Sequence, residues 1–272
     1  MSLTAATRSE LTKQFTTAAW WILALVLLVY IAIVSAGLGL VLAALATGAI
    51  SDGGGLPLPD ATLAPVLYSV ATSFGYVFPL LVGTLMVTSE FRHQTLTPTF
   101  LATPRRGVVL GAKVTASIVM GVIFGVVGII ASVVPAAIVL AASGLDTTLG
   151  DSDTWALLGR MLLAFVLWTL LGLGVGTVVR NQVVALVLVL AFTQFVEPIA
   201  RIAGAFVDGL EPIVRVLPGS AGDALVGASA LSIGTPAAAD PLTWWAGGLV
   251  LAAYALVFLV LGMLTSWRRD VN

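Results

Sequence analysis

The sequence predicts an all-α membrane protein with six transmembrane helices. Hydrophobic residues make up 59% of its 272 residues and charged residues only 9%, whereas soluble domains contain roughly 45–50% and roughly 25%. Six apolar stretches are long enough to cross a bilayer, which takes roughly 20 residues. The cations also fall into alternate segments between these stretches, as expected of a chain that crosses a membrane repeatedly.

The predicted spans are 18–46, 65–88, 114–142, 155–179, 183–202 and 242–266. The first contains no charged residue, and its length predicts tilt or a helical extension beyond the bilayer. A signal peptide has an apolar core of roughly 7–15 residues. The first stretch is about twice that length, so we interpret it as an uncleaved span.

Charge outside the spans predicts the orientation. Nine of the twelve cations lie in one set of segments: Arg8, Lys13, Arg92, Arg105, Arg106, Lys113, Arg180, Arg268 and Arg269. The other set carries nine acidic residues and a single cation, Arg215. Short loops rich in Lys and Arg stay in the cytoplasm, so we expect both termini to be cytoplasmic.

Two segments outside the spans have a distinctive amino-acid composition. Residues 1–17 are polar with one weakly apolar face, which predicts an amphipathic helix at the interface; a frayed tail is the alternative. Residues 203–241 are apolar but interrupted by Pro212 and Pro218. We interpret them as a re-entrant outer segment, which is tolerated where protein or a wet cavity covers the backbone.

Residue types and spacing argue against catalysis by this chain. There is no Gly-Lys dipeptide, so the phosphate-binding loop of ATPases is missing. Cysteine is absent, and the one histidine, His93, lies outside the spans, where it cannot activate a serine within them. We therefore expect no enzymatic activity, no metal site and no cofactor bound by the chain. Twelve scattered cations and a net charge of −1 also disfavour nucleic acid as a partner.

Glu197 and Arg201 are charged residues within the fifth predicted span. They are four residues apart with the acid first, the favourable order for a helical ion pair, and Pro198 between them predicts a kink. One interpretation is a polar patch that faces a transported substrate. The other, which we favour, is a pair that neutralises itself at the membrane edge.

Polar and aromatic residues concentrate in segment 89–113. Residues from Glu90 to Leu101 are expected to form a short helix, which Pro98 would kink and Pro104 would end. The cations alone would fit a simple topology loop, whereas the acid, the aromatics and the threonines favour docking to a soluble partner. The residues predicted to make this contact are Glu90, Phe91, Arg92, Thr95, Phe100, Pro104 and Arg105.

The pattern E-F-R-x-x-T-L…T-P-R-R…K, from Glu90 to Lys113, resembles the loop after the second span of ABC-2 type transporter permeases. The sequence from Leu217 to Gly222 is similar to a Leu-Pro turn in the outer segment of that family. The six spans and the polar N-terminal segment agree with this resemblance.

The resemblance implies a permease subunit of an ATP-binding cassette exporter in a bacterial cell membrane. Segment 89–113 would form a coupling helix seated on a separate ATPase subunit, present in two copies, which would bind ATP and Mg²⁺. The second permease would be another copy of this chain or a homologue. The cargo would be an amphipathic small molecule, drug, peptide or lipid. The alternative is a non-transporting membrane anchor or assembly factor for a cytoplasmic partner.

Overall fold

A computed structural model describes residues 2–49, 60–102, 105–207, 209–232 and 242–265. These residues are almost entirely helical, and no strand occurs among them. Six helical stretches are long and apolar enough to cross a membrane: Ala19–Ala46, Thr62–Arg92, Arg106–Ala142, Ser152–Val178, Gln182–Gly204 and Trp244–Thr265. The predicted all-α architecture with six spans is thus confirmed, and the chain is a multi-pass membrane protein.

Six helices precede the third span, within the residues that the structure describes. They are α1 (Leu3–Thr16), α2 (Ala19–Ala46), α3 (Asp60–Tyr68), α4 (Val70–Gly75), α5 (Val77–Arg92) and α6 (Leu96–Ala102). The second span consists of α3, α4 and α5 in succession, so it begins earlier and ends later than the predicted 65–88.

The remaining helices are α7 (Arg106–Ala142), α8 (Ser152–Val178), α9 (Gln182–Ala191), α10 (Glu197–Phe206), α11 (Glu211–Arg215), α12 (Pro218–Val226) and α13 (Trp244–Thr265). A π-helical turn, Phe192–Val196, joins α9 to α10. Helix α7 has 37 residues and begins at Arg106, not at 114. At about 1.5 Å per residue it is about 55 Å long, so it extends well beyond a bilayer core of roughly 30 Å.

Helices α5 and α8 form the centre of the bundle. Their backbones come into contact because small residues lie between them. A methyl group added at Gly83 of α5 would collide with the Thr169 carbonyl oxygen, and one at Gly172 of α8 would collide with that of Leu80. Helix α7 approaches α8 in the same way: a methyl group at Gly121 would lie 2.7 Å from the Cα atom of Val166. Glycine at these positions thus allows the close helix packing that is typical of membrane bundles.

The outer spans expose broad apolar faces. Helices α2, α9 and α13 carry many exposed Leu, Ile and Val side chains, as expected of surfaces that contact lipid. Helix α2 is fixed to the bundle by a buried hydrogen bond in which Ser35 Oγ donates to the carbonyl oxygen of Ser132 at 2.7 Å.

The two ends of the bundle differ in the charge of their side chains. The basic end contains α1, the connection from α5 to α7 and the link from α8 to α9. The acidic end contains the link from α7 to α8, together with α11 and α12. At the acidic end, the hydroxyl of Tyr68 donates to the Thr147 carbonyl oxygen at 2.6 Å and ties the second span to the α7–α8 link.

Candidate functional site

Four charged residues form a closed ring at the basic end. Lys13 Nζ lies 2.7 Å from Glu10 Oε1 and 2.8 Å from Glu90 Oε1. Lys113 Nζ lies 2.7 Å from Glu10 Oε2 and 2.9 Å from Glu90 Oε2. Each lysine therefore contacts both glutamates. We call Glu10, Lys13, Glu90 and Lys113 the ionic ring.

The ring joins three helices and touches a fourth. Glu10 and Lys13 are three residues apart on α1, Glu90 lies in the last turn of α5, and Lys113 lies in the second turn of α7. Lys13 Nζ also donates to Thr99 Oγ1 on α6 at 3.3 Å. Helix α1 starts after an N-cap residue, Ser2, whose side-chain oxygen accepts a hydrogen bond from the amide of Ala5.

Burial sets the electrostatics of the ring. The side chain of Lys113 is fully buried, and Glu10 and Glu90 are nearly so. Burial by itself would raise the pKa of Glu10, but Lys113 and Lys13 outweigh it and hold that pKa below the ordinary value of 4.5. Burial would lower the pKa of Lys13, but Glu10 and Glu90 outweigh it and raise that pKa above 10.5. Glu10 and Lys13 are therefore charged at neutral pH.

The connection from α5 to α7 differs from the single helix predicted from Glu90 to Leu101. Helix α5 continues through Arg92, and the chain then turns at Gln94, which has a φ of 55°. A separate short helix, α6, begins at Leu96. Pro98 does not kink it, because proline in the first turn of a helix lacks only an N–H that has no partner there.

The predicted contact residues fall into three groups. Glu90 is buried in the ionic ring, and Phe91 is partly buried against the core. Phe100 is also partly buried, with the Arg106 guanidinium 5.3 Å from its ring centre. The exposed members are Arg92, Thr95 and Arg105. Pro104 lies outside the described residues.

Sequence reasoning missed the most prominent apolar residue of this connection. Leu101 of α6 is 78% exposed, next to the partly buried Phe100. We give the name exposed patch to Leu101 together with Arg92, Thr95 and Arg105, four exposed residues of this connection. The sequence prediction for this segment relied on its charged and aromatic residues. The exposure of Leu101 could not be predicted in that way, because it depends on which face of α6 packs against α7.

A second polar cluster lies at the acidic end. Arg201 Nη2 is 3.1 Å from Glu197 Oε1, and Arg201 Nη1 is 2.7 Å from Asp223 Oδ2. The pair expected from the sequence is therefore present, but α12 supplies a third member. We call Glu197, Arg201 and Asp223 the triad.

Further hydrogen bonds fix the triad between spans. The amide of Ser220 donates to Glu197 Oε1 at 3.1 Å, and Ser229 Oγ donates to Asp223 Oδ2 at 2.9 Å. A methyl group at Gly219 would overlap the Glu197 carboxylate, so α12 can approach this closely only with glycine there. The predicted break at Pro198 is mild: a π-helical turn precedes Glu197, and α10 continues the span beyond it.

Neither a protein-family model nor a curated protein sequence matches this chain. Among the described residues, no group of three or more His, Cys, Asp or Glu side chains could hold a metal ion.

Proposed function

We propose that this chain is the permease subunit of an ATP-binding cassette exporter, related to the ABC-2 type permeases. Two cytoplasmic ATPase subunits bind ATP and Mg²⁺, and a second copy of this chain or a homologue completes the pathway. The cargo is an amphipathic small molecule, drug, peptide or lipid that leaves a bacterial cell. The chain itself contributes no nucleotide site, consistent with the missing Gly-Lys dipeptide.

The observation that carries the proposal is the placement of the exposed patch. It presents Arg92, Thr95, Leu101 and Arg105 on a connection that links the second and third spans directly. Buried apolar residues tend to dominate protein contacts, with charged residues around them. An exposed leucine among such residues suits a groove on a soluble partner.

The ionic ring supports a coupling role for this connection. Force from an ATPase must pass through a rigid element to reach the spans. The ring ties the start of α7, the end of α5 and α1 together through buried ion pairs. Glu90 accordingly acts inside the chain and positions the connection, while the exposed patch makes the contact.

The proposal includes an orientation, which rests on the positive-inside rule: both termini and the exposed patch face the cytoplasm. The chain contains no cysteine, so single-cysteine variants report cleanly. An impermeant thiol reagent added outside intact cells should label Ser152→Cys and spare Thr95→Cys. The opposite labelling pattern would show that Thr95 faces outward. The exposed patch could then not contact a cytoplasmic ATPase.

Copurification tests the function. Tagged protein, solubilised from its own cells, should bring down a polypeptide with a Gly-Lys-Ser/Thr loop that hydrolyses ATP. Leu101→Asp should reduce this association at least tenfold, whereas Leu261→Asp, on the exposed face of α13, should affect insertion and spare the association per folded molecule. Capture of a partner that lacks such a loop would favour the anchor or assembly factor instead.

A further inference from the structure

The triad contains more negative than positive groups. Glu197 and Asp223 supply two carboxylates, and within the described residues Arg201 is the one cation at ion-pair distance from either. If both carboxylates were ionised, the triad would carry a net charge of −1. Its side chains are 1%, 15% and 20% exposed for Glu197, Asp223 and Arg201. An uncompensated charge at such a site is strongly unfavourable.

The hydrogen bonds show which oxygen lacks compensation. Glu197 Oε1 accepts from Arg201 Nε at 3.3 Å, from Arg201 Nη2 at 3.1 Å and from the Ser220 amide. Asp223 Oδ2 accepts from Arg201 Nη1 and Ser229 Oγ. Glu197 Oε2, in contrast, is buried and has no hydrogen-bond partner within the part of the chain that the structure describes. A bare carboxylate oxygen is costly there, whereas a neutral hydroxyl costs much less.

Neighbouring groups do not supply the missing charge. Tyr76, from the second span, donates its hydroxyl to the Thr193 carbonyl oxygen at 3.1 Å. Arg160 of α8 lies close to Gly227, beyond the far end of α12. Arg215 of α11 forms no ion pair with either triad carboxylate in the described residues.

We infer that the triad is a proton-binding site and that the proton resides on Oε2 of Glu197. The donor is hydronium: one of its O–H bonds breaks, an O–H bond forms on Oε2, and water remains. The protonated triad is neutral, because Arg201 then balances Asp223. This inference does not depend on transport or on an ATPase partner.

The proton-binding site is shared between two helices. Ser220 and Asp223 belong to α12, whereas Glu197 and Arg201 belong to α10. The site is therefore complete only where α12 packs against α10.

Infrared spectroscopy of the full chain in lipid nanodiscs tests the assignment. At neutral pH, the wild type should show the C=O stretching band of one protonated carboxyl, shifted in D₂O, which Glu197→Gln lacks. Carbon-13 labelling of the glutamate side-chain carboxyls should shift this band to lower frequency, whereas labelling of the aspartate carboxyls should not, which distinguishes a proton on Glu197 from one on Asp223. Asp153→Asn, at an exposed position at the start of α8, should retain the band.

Two outcomes overturn the proposal. The first is that wild-type and Glu197→Gln spectra coincide in this region. The second, which decides the matter if Glu197→Gln does not fold, is that the band keeps its frequency when the glutamate carboxyls carry carbon-13. Glu10 and Glu90 do not confuse the assignment, because each has two lysine partners and is unchanged in these variants.

Discussion

Lys113 forms an ion pair with Glu10 across 103 residues of sequence, with 2.7 Å between Nζ and Oε2. The Lys113 side chain is fully buried, so water does not screen this ion pair. The contact fixes the N-terminal helix to the start of the third span. The same nitrogen also lies 2.9 Å from Glu90 Oε2. A single lysine thus joins the helix before the first span to the two helices around the exposed patch.

Removing Lys113 should destabilise the protein strongly. Lys113→Met leaves two buried carboxylates with Lys13 alone, and breaking a buried ion pair typically costs about 3–5 kcal/mol. The double variant Glu10→Gln/Lys113→Met keeps the balanced pair of Lys13 and Glu90 and should recover much of the loss. Thermal unfolding in detergent measures both, with exposed Arg8→Met as a near-neutral control. A double variant no more stable than Lys113→Met would contradict the charge balance.

The ring should also set the pH range of stability. The lowered pKa of Glu10 means that its contribution is complete above about pH 4.5 and is lost as the pH falls through the native value. The raised pKa of Lys13 means that its contribution is complete below about pH 10.5 and is lost as the pH rises through the native value. The contribution of these two residues to the melting temperature should therefore change little between these limits. Glu10→Gln should weaken the acid-side decline, and an identical decline in this variant and the wild type would exclude the ring as its cause.

Two glycines of α8 give a matched test of helix packing. Gly172→Ala places a methyl group against the Leu80 carbonyl, whereas nothing lies within 4 Å of a methyl group at Gly159. Gly172→Ala should cost about 1–3 kcal/mol through overpacking, and Gly159→Ala should be neutral or stabilise by up to about 1 kcal/mol through helix propensity. Unfolding of each variant in the same detergent provides the comparison. Equal stability would show that α5 and α8 are not in close contact at Gly172.

Because Arg201 pairs with Asp223 as well as with Glu197, mutations of Glu197 and Arg201 should change stability in an order that an isolated pair would not show. Glu197→Gln leaves Arg201 paired with Asp223, so this variant should be close to the wild type in stability. Glu197→Gln/Arg201→Leu leaves Asp223 without a cation and should be clearly less stable. If Glu197 and Arg201 neutralised each other alone, the order would be reversed. Thermal unfolding of the two variants, with Asp223→Asn added to the double variant as a rescue, distinguishes the cases.

The sequence was informative where the signal is local. Apolar length predicts a span within one segment, and the spacing of Glu197 and Arg201 predicts their pairing within one helical turn. It could not predict that Asp223 joins them, because α12 reaches the pair only through the fold of the outer segment. For the same reason the ring was not foreseen, since its members are brought together from α1, α5 and α7. The sequence pattern predicts a surface contact for Glu90 and Phe91, whereas α5 continues through both, so that Glu90 is buried in the ring and Phe91 is partly buried against the core.

The central claim is that the exposed patch contacts an ATPase, and site-specific crosslinking tests it most directly. A photoreactive amino acid replaces Leu101 in one variant and Leu261 of α13 in the other, and both are irradiated in the native cells. The account predicts that Leu101, and not Leu261, crosslinks to a polypeptide with a Gly-Lys-Ser/Thr loop, and that ATP turnover changes the yield. A Leu101 position that forms no adduct, or one only with proteins lacking that loop, would contradict it.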